Sequence, residues 1–580
     1  MSPVSQHPAI AYFSMEVALD TSMPTYSGGL GVLAGDTVRS AADLEIPMVG
    51  VTLLYRSGYF HQRIDAEGRQ SEEPARWPID DYLEPLGRRV RVEVEERSVQ
   101  VRAWRYRVKG VSGFEVPVLL LDTRIPENTP WDQTLTDVLY GGDSHYRLCQ
   151  EAILGIGGVR ILRALGYDRL VRYHLNEGHA ALLIPALLEE RMASASKETP
   201  VLAEEMAGIR RQCIFTTHTP VPAGHDQFPN ELARRVLGAR MWELLQACGQ
   251  DGALNMTDLA LRCSHFINGV AMKHGEVSRD LFPAYPIRSI TNGVHAVTWA
   301  APAFQALYDR HLPGWRHDAL SLRYAIGIPG IDIWEAHLEA KRALLELANR
   351  QTNAGLDMDV LTVGFARRAT AYKRTTLVFR DLERLKAVCK RAGRVQFVFA
   401  GKAHPRDVQG KEMIQDVHRA RSAMRDWIPL AYLENYDIAL AKLMCAGVDI
   451  WLNTPLPPLE ASGTSGMKAA INGVPSLSVL DGWWVEGHIE GATGWSIGDP
   501  IPMGSPADPG LDERHAMALY DKLESRILPC FYQDRQRFID IMRQSIALNG
   551  SFFNTQRMVW QYLHNAYHVN ELAKSKNVKP

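Results

Sequence analysis

Two short stretches carry the residue types of an anion-handling site. One is Glu460–Lys468, EASGTSGMK, which follows an apolar run, VDIWLN, and leads through MKAAING to a second run, SLSVL. Small residues at a strand end, running into a helix, bare their backbone N–H groups and suit an anion. Lys468 falls in the first turn of the helix expected from Met467. There it is either an ordinary ammonium or, in a dry pocket, an amine able to form an imine. The other stretch, FARRATAYKR, holds Arg367, Arg368, Lys373 and Arg374. Four close cations at a strand end repel one another unless an anion lies among them. They read either as a solvated surface or as a phosphate clamp, with arginine giving bidentate geometry and lysine a point charge. Lys402, in the neighbouring GKAHP turn, extends that basic zone or is structural.

Uncharged and weakly charged polar groups sit at other expected strand edges. His218, Asn292, Glu460, Ser462 and Gly463 mix donors and acceptors, which sugar hydroxyls require because each buried OH both gives and receives. Ser27-Gly28-Gly29-Leu30-Gly31 is a glycine-rich turn at a helix start, and Leu33, Val38 and Ala41 behind it face inward. Alone it is a structural corner as readily as a phosphate turn. No HExxH or similar spacing joins His174, His179 and His225, so no metal is expected.

The elements that must position these groups follow from period and length. At 580 residues the chain exceeds one core and predicts two large domains, 1–300 and 301–580. Strands are expected at 9–17, 46–62, 88–121, RLVRYHLN, CIFTTH, LTVGFA, VQFVFA, VDIWLN and SLSVL, alternating with helices. One long helix is expected from Leu259 to Arg279, and the strand before the prolines of HTPVP should end at His218. Repeated β–loop–α units in both halves predict an α/β fold of two doubly wound, Rossmann-like domains facing across a cleft. TQRMVWQYLHNAYHV, apolar at Met558, Val559, Tyr562, Leu563 and Tyr567, predicts a helix capped by Asn554 or Thr555 that packs across domains. With 64 basic against 66 acidic residues, the net charge of −2 gives no case for nucleic acid or an anionic membrane. Seven scattered cysteines without a CxxC pair, and no signal peptide or long apolar run, predict a cytoplasmic protein.

The motifs resemble those of the α-glucan (glycogen, maltodextrin) phosphorylases, especially the short bacterial and archaeal branch. The strings YFSMEVALDTSMPTYSGGLGVLAGD, HLNEGHAALLIP, FTTHTPVPAGHDQFP, SITNGVHAVTW, FARRATAYKR, ENYDIALAKLM, EASGTSGMKAAINGV and FFNTQRMVWQYL carry the resemblance over most of the chain. It implies a GT-B arrangement with pyridoxal 5′-phosphate on Lys468 as a Schiff base. Gly29, Arg367 and Thr464 would hold the cofactor phosphate, with Tyr436 beside it. Arg368 and Lys373 would bind inorganic phosphate. His218, Asn292, Glu460, Ser462, Gly463 and Tyr372 would surround the glucosyl unit, so the catalytic set is Lys468, Arg368, Lys373 and His218. The implied reaction is phosphorolysis of an α-1,4-glucan at its non-reducing end to α-D-glucose 1-phosphate, with retention and a phosphate-to-phosphate proton relay. A homodimer is a further family expectation.

The chain departs from the family pattern in places. Thr370 and Ala371 stand where animal phosphorylases carry His and Glu, and Val17-Ala18-Leu19 where many relatives carry aromatics near the cofactor ring. The short start predicts no phosphorylation or nucleotide control of the animal type. Two alternatives stay open: a nucleotide-sugar glucosyltransferase of the same build, which needs no imine-forming lysine, and a glucan-binding homologue without activity.

Overall fold

The first strand, β1 (Ile10–Ser14), is fully buried and alternates its side chains between two cores. Ala11 and Phe13 join one, Ile10 and Tyr12 the other. Such burial on both faces is the mark of a covered parallel strand. It comes from a computed structural model that describes residues 8–194, 202–221, 224–502 and 508–568.

The first half continues with β2 (Met48–Leu53), a hairpin β3 (His61–Ile64) and β4 (Gln70–Glu73), then β5 (Glu84–Val94), β6 (Arg97–Lys109) and β7 (Glu115–Asp122). After them come β8 (Arg172–Asn176), β9 (Cys213–Thr216), the short pair β10 (Gln227–Phe228) and β11 (Leu254–Asn255), β12 (Phe266–Gly269) and β13 (Arg288–Ser289). Nine of them form one sheet in the order β13-β12-β9-β8-β1-β2-β7-β6-β5. It is parallel from β13 to β7, and β6 and β5 add an antiparallel edge. The second half contributes β14 (Leu361–Ala366), β15 (Val395–Ala400), β16 (Leu430–Leu433), β17 (Ile450–Asn453), β18 (Ser476–Val479) and β19 (Gly494–Ile497). They form a wholly parallel sheet in the order β16-β15-β14-β17-β18-β19. Both halves are therefore doubly wound, as the repeated β–loop–α units predict.

Two local expectations need correction. The stretch 259–279 is not one helix: β12 interrupts it between Met256–Arg262 and Met272–Leu281. Pairing of Phe266 to Asn268 with Ile214 to Thr216 outweighs the local helical pattern. The strand before the prolines ends at Thr216, two residues short of His218. Residues 144–164 form one continuous helical stretch, Ser144–Ala152 and Gly158–Ala164 with a π segment at Ile153–Gly157 between them. Its glycines do pack tightly, since a Cβ on Gly155 would lie 2.6 Å from the Leu183 nitrogen.

The C-terminal helix Thr555–Tyr562 is capped by Asn554, whose side chain accepts the Arg557 N–H at 2.8 Å. Met558, Val559, Tyr562 and Tyr567 enter the first-half core with Tyr12 and Val38, whereas Ile546, Ala547 and Phe553 just before them belong to the second-half core. The chain thus crosses back over both sheets at its end. No helix among the described residues is long and apolar enough to cross a membrane.

Candidate active site

Strand order decides where a ligand can enter. In the second sheet the order reverses between the neighbours β14 and β17, and in the first between β1 and β8. Loops leaving the carboxyl ends on either side of such a point diverge and leave a crevice. Arg367 and Arg368 follow β14, and the loop to Glu460 follows β17; Glu16 follows β1 and Glu177 follows β8. These edges share one cavity of about 850 Å³. Every residue that the family resemblance assigns to the site lines it: Gly29, His218, Asn292, Arg367, Arg368, Tyr372, Lys373, Tyr436, Glu460, Ser462, Gly463, Thr464 and Lys468.

The basic string divides by function. Glu460 Oε2 accepts from Lys373 Nζ at 2.6 Å and pairs with Arg367 Nη2 at 2.7 Å. Burial opposes the charge of Glu460, yet Arg367 and Lys373 hold its carboxyl below the usual range. The ammonium of Lys373 also lies 4.2 Å from the Tyr372 ring centroid. Arg367 keeps Nη1 buried without a hydrogen-bond partner among the described residues. Arg368 instead reaches into the cavity's solvent, and among the described residues it has no ion-pair partner. Arg374 leaves the cluster: it bonds the Thr454 and Pro455 carbonyls at 2.9 and 2.6 Å and Asp512 at 2.8 Å, pinning the loop after β17. Lys402 donates to the Phe60 carbonyl at 3.0 Å, and burial pushes its pKa down to about 8.

Lys468 is buried on the helix Ser465–Ile471, its amine 4.1 Å from the Trp299 ring centroid. Desolvation lowers its pKa, with Cys445 and Asp36 opposing. Trp299 is fixed in turn by donating Nε1–H to Asp36 at 2.7 Å. Although Ala18 is no aromatic, an indole does reach the amine. Elsewhere on the cavity wall, a Cβ added to Gly28 or Gly29 would meet no atom of the described residues within 4 Å, whereas one on Gly31 would lie 2.7 Å from Glu16 and Tyr26. Gly31 is thus demanded by packing, while Gly28 and Gly29 leave room toward the cavity at the start of the helix Gly29–Asp43.

The sugar-type groups line the same space. His218 Nε2 bonds Asn176 Oδ1 at 2.7 Å, and burial, aided by His274, pushes its pKa down to about 3. The ring is therefore neutral at physiological pH, with Nδ1 left to accept. The buried Oδ1 of Asn292 and Oγ of Ser462 have no hydrogen-bond partner among the described residues. Asn292 is held from behind, because Arg557 donates to the Thr291 and Asn292 carbonyls at 2.7 and 2.9 Å. Gly293 permits that approach: a Cβ there would stand 2.2 Å from Asn554. The Glu460–Gly463 loop is clamped by Asp481, which accepts the Glu460 N–H at 2.9 Å, and by the Trp483 N–H on Ser462 O at 2.8 Å. Burial pushes the Asp481 carboxyl up to about 7.

The sequence reading gave no role to Glu16, Trp299 and Asp481, and set Glu177 at a strand's carboxyl edge without a role. Glu16 takes the Ser27 and Gly28 N–H groups at 2.5 and 3.2 Å and the Tyr140 hydroxyl at 2.9 Å. Glu177, at φ +74°, accepts from the His218 N–H and Thr219 Oγ, and burial raises its pKa to about 7. A charged residue just past a buried parallel strand was the available signal for both. No local signal marked Trp299.

The residues present fit a pyridoxal phosphate group: a buried amine against an indole, a guanidinium whose Nη1 has no hydrogen-bond partner among the described residues, and an open glycine corner meet in one cavity. Comparison with known proteins adds an independent line. The family model described as carbohydrate phosphorylase matches residues 18–128 and 239–494, a span that includes every site residue expected from the sequence except His218. A maltodextrin phosphorylase of Thermococcus litoralis is 41% identical, the alignment covering 97% of this chain and 71% of that protein. Glycogen phosphorylases of Mycobacterium tuberculosis (38%; 96% and 70%) and Aquifex aeolicus (34%; 96% and 86%) are also similar.

Proposed function

Because the chain belongs to the carbohydrate phosphorylase family, we propose that it removes the terminal glucosyl unit of an α-1,4-glucan by phosphorolysis, yielding α-D-glucose 1-phosphate with retention. The observation that carries this reading is the meeting, in one cavity, of Arg368, which has no ion-pair partner among the described residues, with the Arg367–Glu460–Lys373 bridge and Lys468. A cation without a bonded counter-ion in a protein-walled space binds an anion strongly, because desolvation magnifies its field. Arg368 and Lys373 hold inorganic phosphate in this scheme. Lys468, Arg367, Thr464 and the Gly28–Gly29 corner hold pyridoxal phosphate, with Tyr436 alongside. Bound there, the cofactor would supply a second phosphate able to exchange a proton with the first.

In the reaction the bond from the sugar's C1 to the next unit's O4 breaks and a phosphate oxygen takes C1. The leaving O4 takes a proton that inorganic phosphate carries into the site near neutral pH. His218, neutral and fixed by Asn176, accepts from a sugar hydroxyl and orients it. Asn292, Ser462, Gly463 and Tyr372 complete the sugar's surroundings. Glu460 is engaged by two cations and serves as their counter-ion and as a sugar contact, so no nucleophilic carboxylate is required. The reading divides the chain into a glucan-facing half to residue 300 and a cofactor-holding half after it. Seven cysteines, all without a disulfide, suit a cytoplasmic enzyme.

The test is a phosphate-dependence assay. Purified protein with maltoheptaose should release glucose 1-phosphate only when phosphate is present. Borohydride treatment should fix pyridoxal on the peptide containing Lys468. Glucan extension from a nucleotide sugar, indifferent to phosphate, would overturn the proposal.

A further inference from the structure

The hairpin β3–β4 leaves the first half of the chain and docks on loops of the second. On it the side chains of Gln62 and Gln70 are buried and meet, Gln62 Nε2 donating to Gln70 Oε1 at 2.8 Å. Gln62 Nε2 also donates to the Gly401 carbonyl at 2.8 Å, and its Oε1 accepts the Asn435 N–H at 2.8 Å. Gln70 Oε1 accepts the Ala403 N–H at 2.9 Å, while its Nε2 donates to the Ala403 carbonyl at 2.9 Å and to Glu72 at 2.7 Å. A backbone N–H can only donate, so Asn435 and Ala403 fix the orientation of both amides. The Lys402 ammonium adds a bond to the Phe60 carbonyl just ahead of β3.

What these amides grip is the loop after β15, and that loop carries the backbone of the cation cluster. Lys402 O accepts the Ala369 N–H at 2.9 Å and Ala400 O accepts the Arg367 N–H at 3.3 Å. Gly401 lies so close behind that a Cβ on it would meet Arg367 O at 2.0 Å. The other gripped residue, Asn435, precedes Tyr436 and Asp437 in the cavity wall.

We propose that Gln62 and Gln70 are positioning residues for the phosphate site. Through Gly401–Ala403 they set the place of Arg367 and Arg368, and they tie that edge of the second sheet to the first half of the chain. The inference rests on the phosphorolysis reading. A guanidinium on a flexible stem must be delivered to the phosphate from a fixed backbone, and a shift of about 1 Å there costs on the order of 10²-fold in a positioned reaction. Replacing either amide leaves buried N–H and C=O groups unpaired, so the loop must move to find water.

The experiment measures both Michaelis constants in the phosphorolytic direction for wild type, Gln62→Leu, Gln70→Leu and Gln62→Glu, with Arg69→Ala at the exposed hairpin tip as control. The expected result is a rise of about tenfold or more in the KM for phosphate, with the KM for maltoheptaose within about twofold. The control should match wild type. Combining Gln62→Leu with Arg368→Gln should raise the phosphate KM by less than the product of the single effects, because both act through one guanidinium. If Gln62→Leu does not fold, the isosteric Gln62→Glu carries the measurement. Equal changes in both constants, no change in either, or multiplicative effects in the double variant would overturn the inference while phosphorolysis itself stands. A wild type that releases no glucose 1-phosphate would instead remove the functional reading.

Discussion

Replacing Arg368 by glutamine separates binding from stability. Its side chain extends into the cavity's solvent and has no ion-pair partner among the described residues. Burial opposes its charge, but Tyr372, Tyr59, Glu16 and Tyr140 more than compensate, so it stays a cation. In the ligand-free protein its loss leaves no carboxylate stranded, and stability should change by no more than about 0.5 kcal/mol. Phosphate, by contrast, loses a charge-assisted hydrogen bond, roughly 1.5–3 kcal/mol. At about 1.4 kcal/mol per factor of ten, that is a rise of about 10- to 100-fold in the phosphate KM. Lys373→Met is the comparison: its ammonium is buried against Glu460, and removing one partner of a buried ion pair costs about 3–5 kcal/mol. The assay is glucose 1-phosphate release across a phosphate titration, paired with thermal melts of both variants. A phosphate KM within twofold of wild type for Arg368→Gln, or a melting loss as large as that of Lys373→Met, would refute the assignment of Arg368 as the free anion-binding cation.

Three further outcomes are expected. Lys468→Ala should carry no borohydride-fixable pyridoxal and release no glucose 1-phosphate; a variant that keeps both, measured by absorbance and peptide mass, contradicts the proposed anchor. Asp481 has a folded-state pKa of about 7, above its unfolded value, so the fold holds that proton more tightly and stability declines as pH rises from the ordinary aspartate range to about 7. Asp481→Asn should flatten that decline in a melting-temperature series, and an unchanged slope argues against it. Lys341, fully buried, donates to Asp449 at 2.6 Å and to the Val360 carbonyl at 2.9 Å at the head of β17. Lys341→Met should cost about 3–5 kcal/mol in denaturant unfolding of that half, and a loss under about 1 kcal/mol would show the pair to be dispensable.

Much of the site was legible because its parts are local. EASGTSGMK places small residues and a lysine on one turn, and RRATAYKR places cations at one strand end; strand period and glycine chemistry act over a few residues and survive in one dimension. The strands 361–366 and 395–400 likewise match their sequence runs, since a continuous apolar segment of that length suits a strand buried on both faces. What sequence left undecided depended on partners far along the chain. Arg374 looked like its three neighbours until Thr454, Pro455 and Asp512 drew it away. Residues 266–269 looked helical until β9 offered a ladder. The indole against Lys468, the Arg557 grip on Asn292 and the Gln62–Gln70 amides join residues more than 150 positions apart or hold loops from the other half. Periodicity and residue chemistry report what a segment can do; only packing fixes which distant group satisfies a buried charge or amide, because that choice is made by the free energy of the whole assembled core.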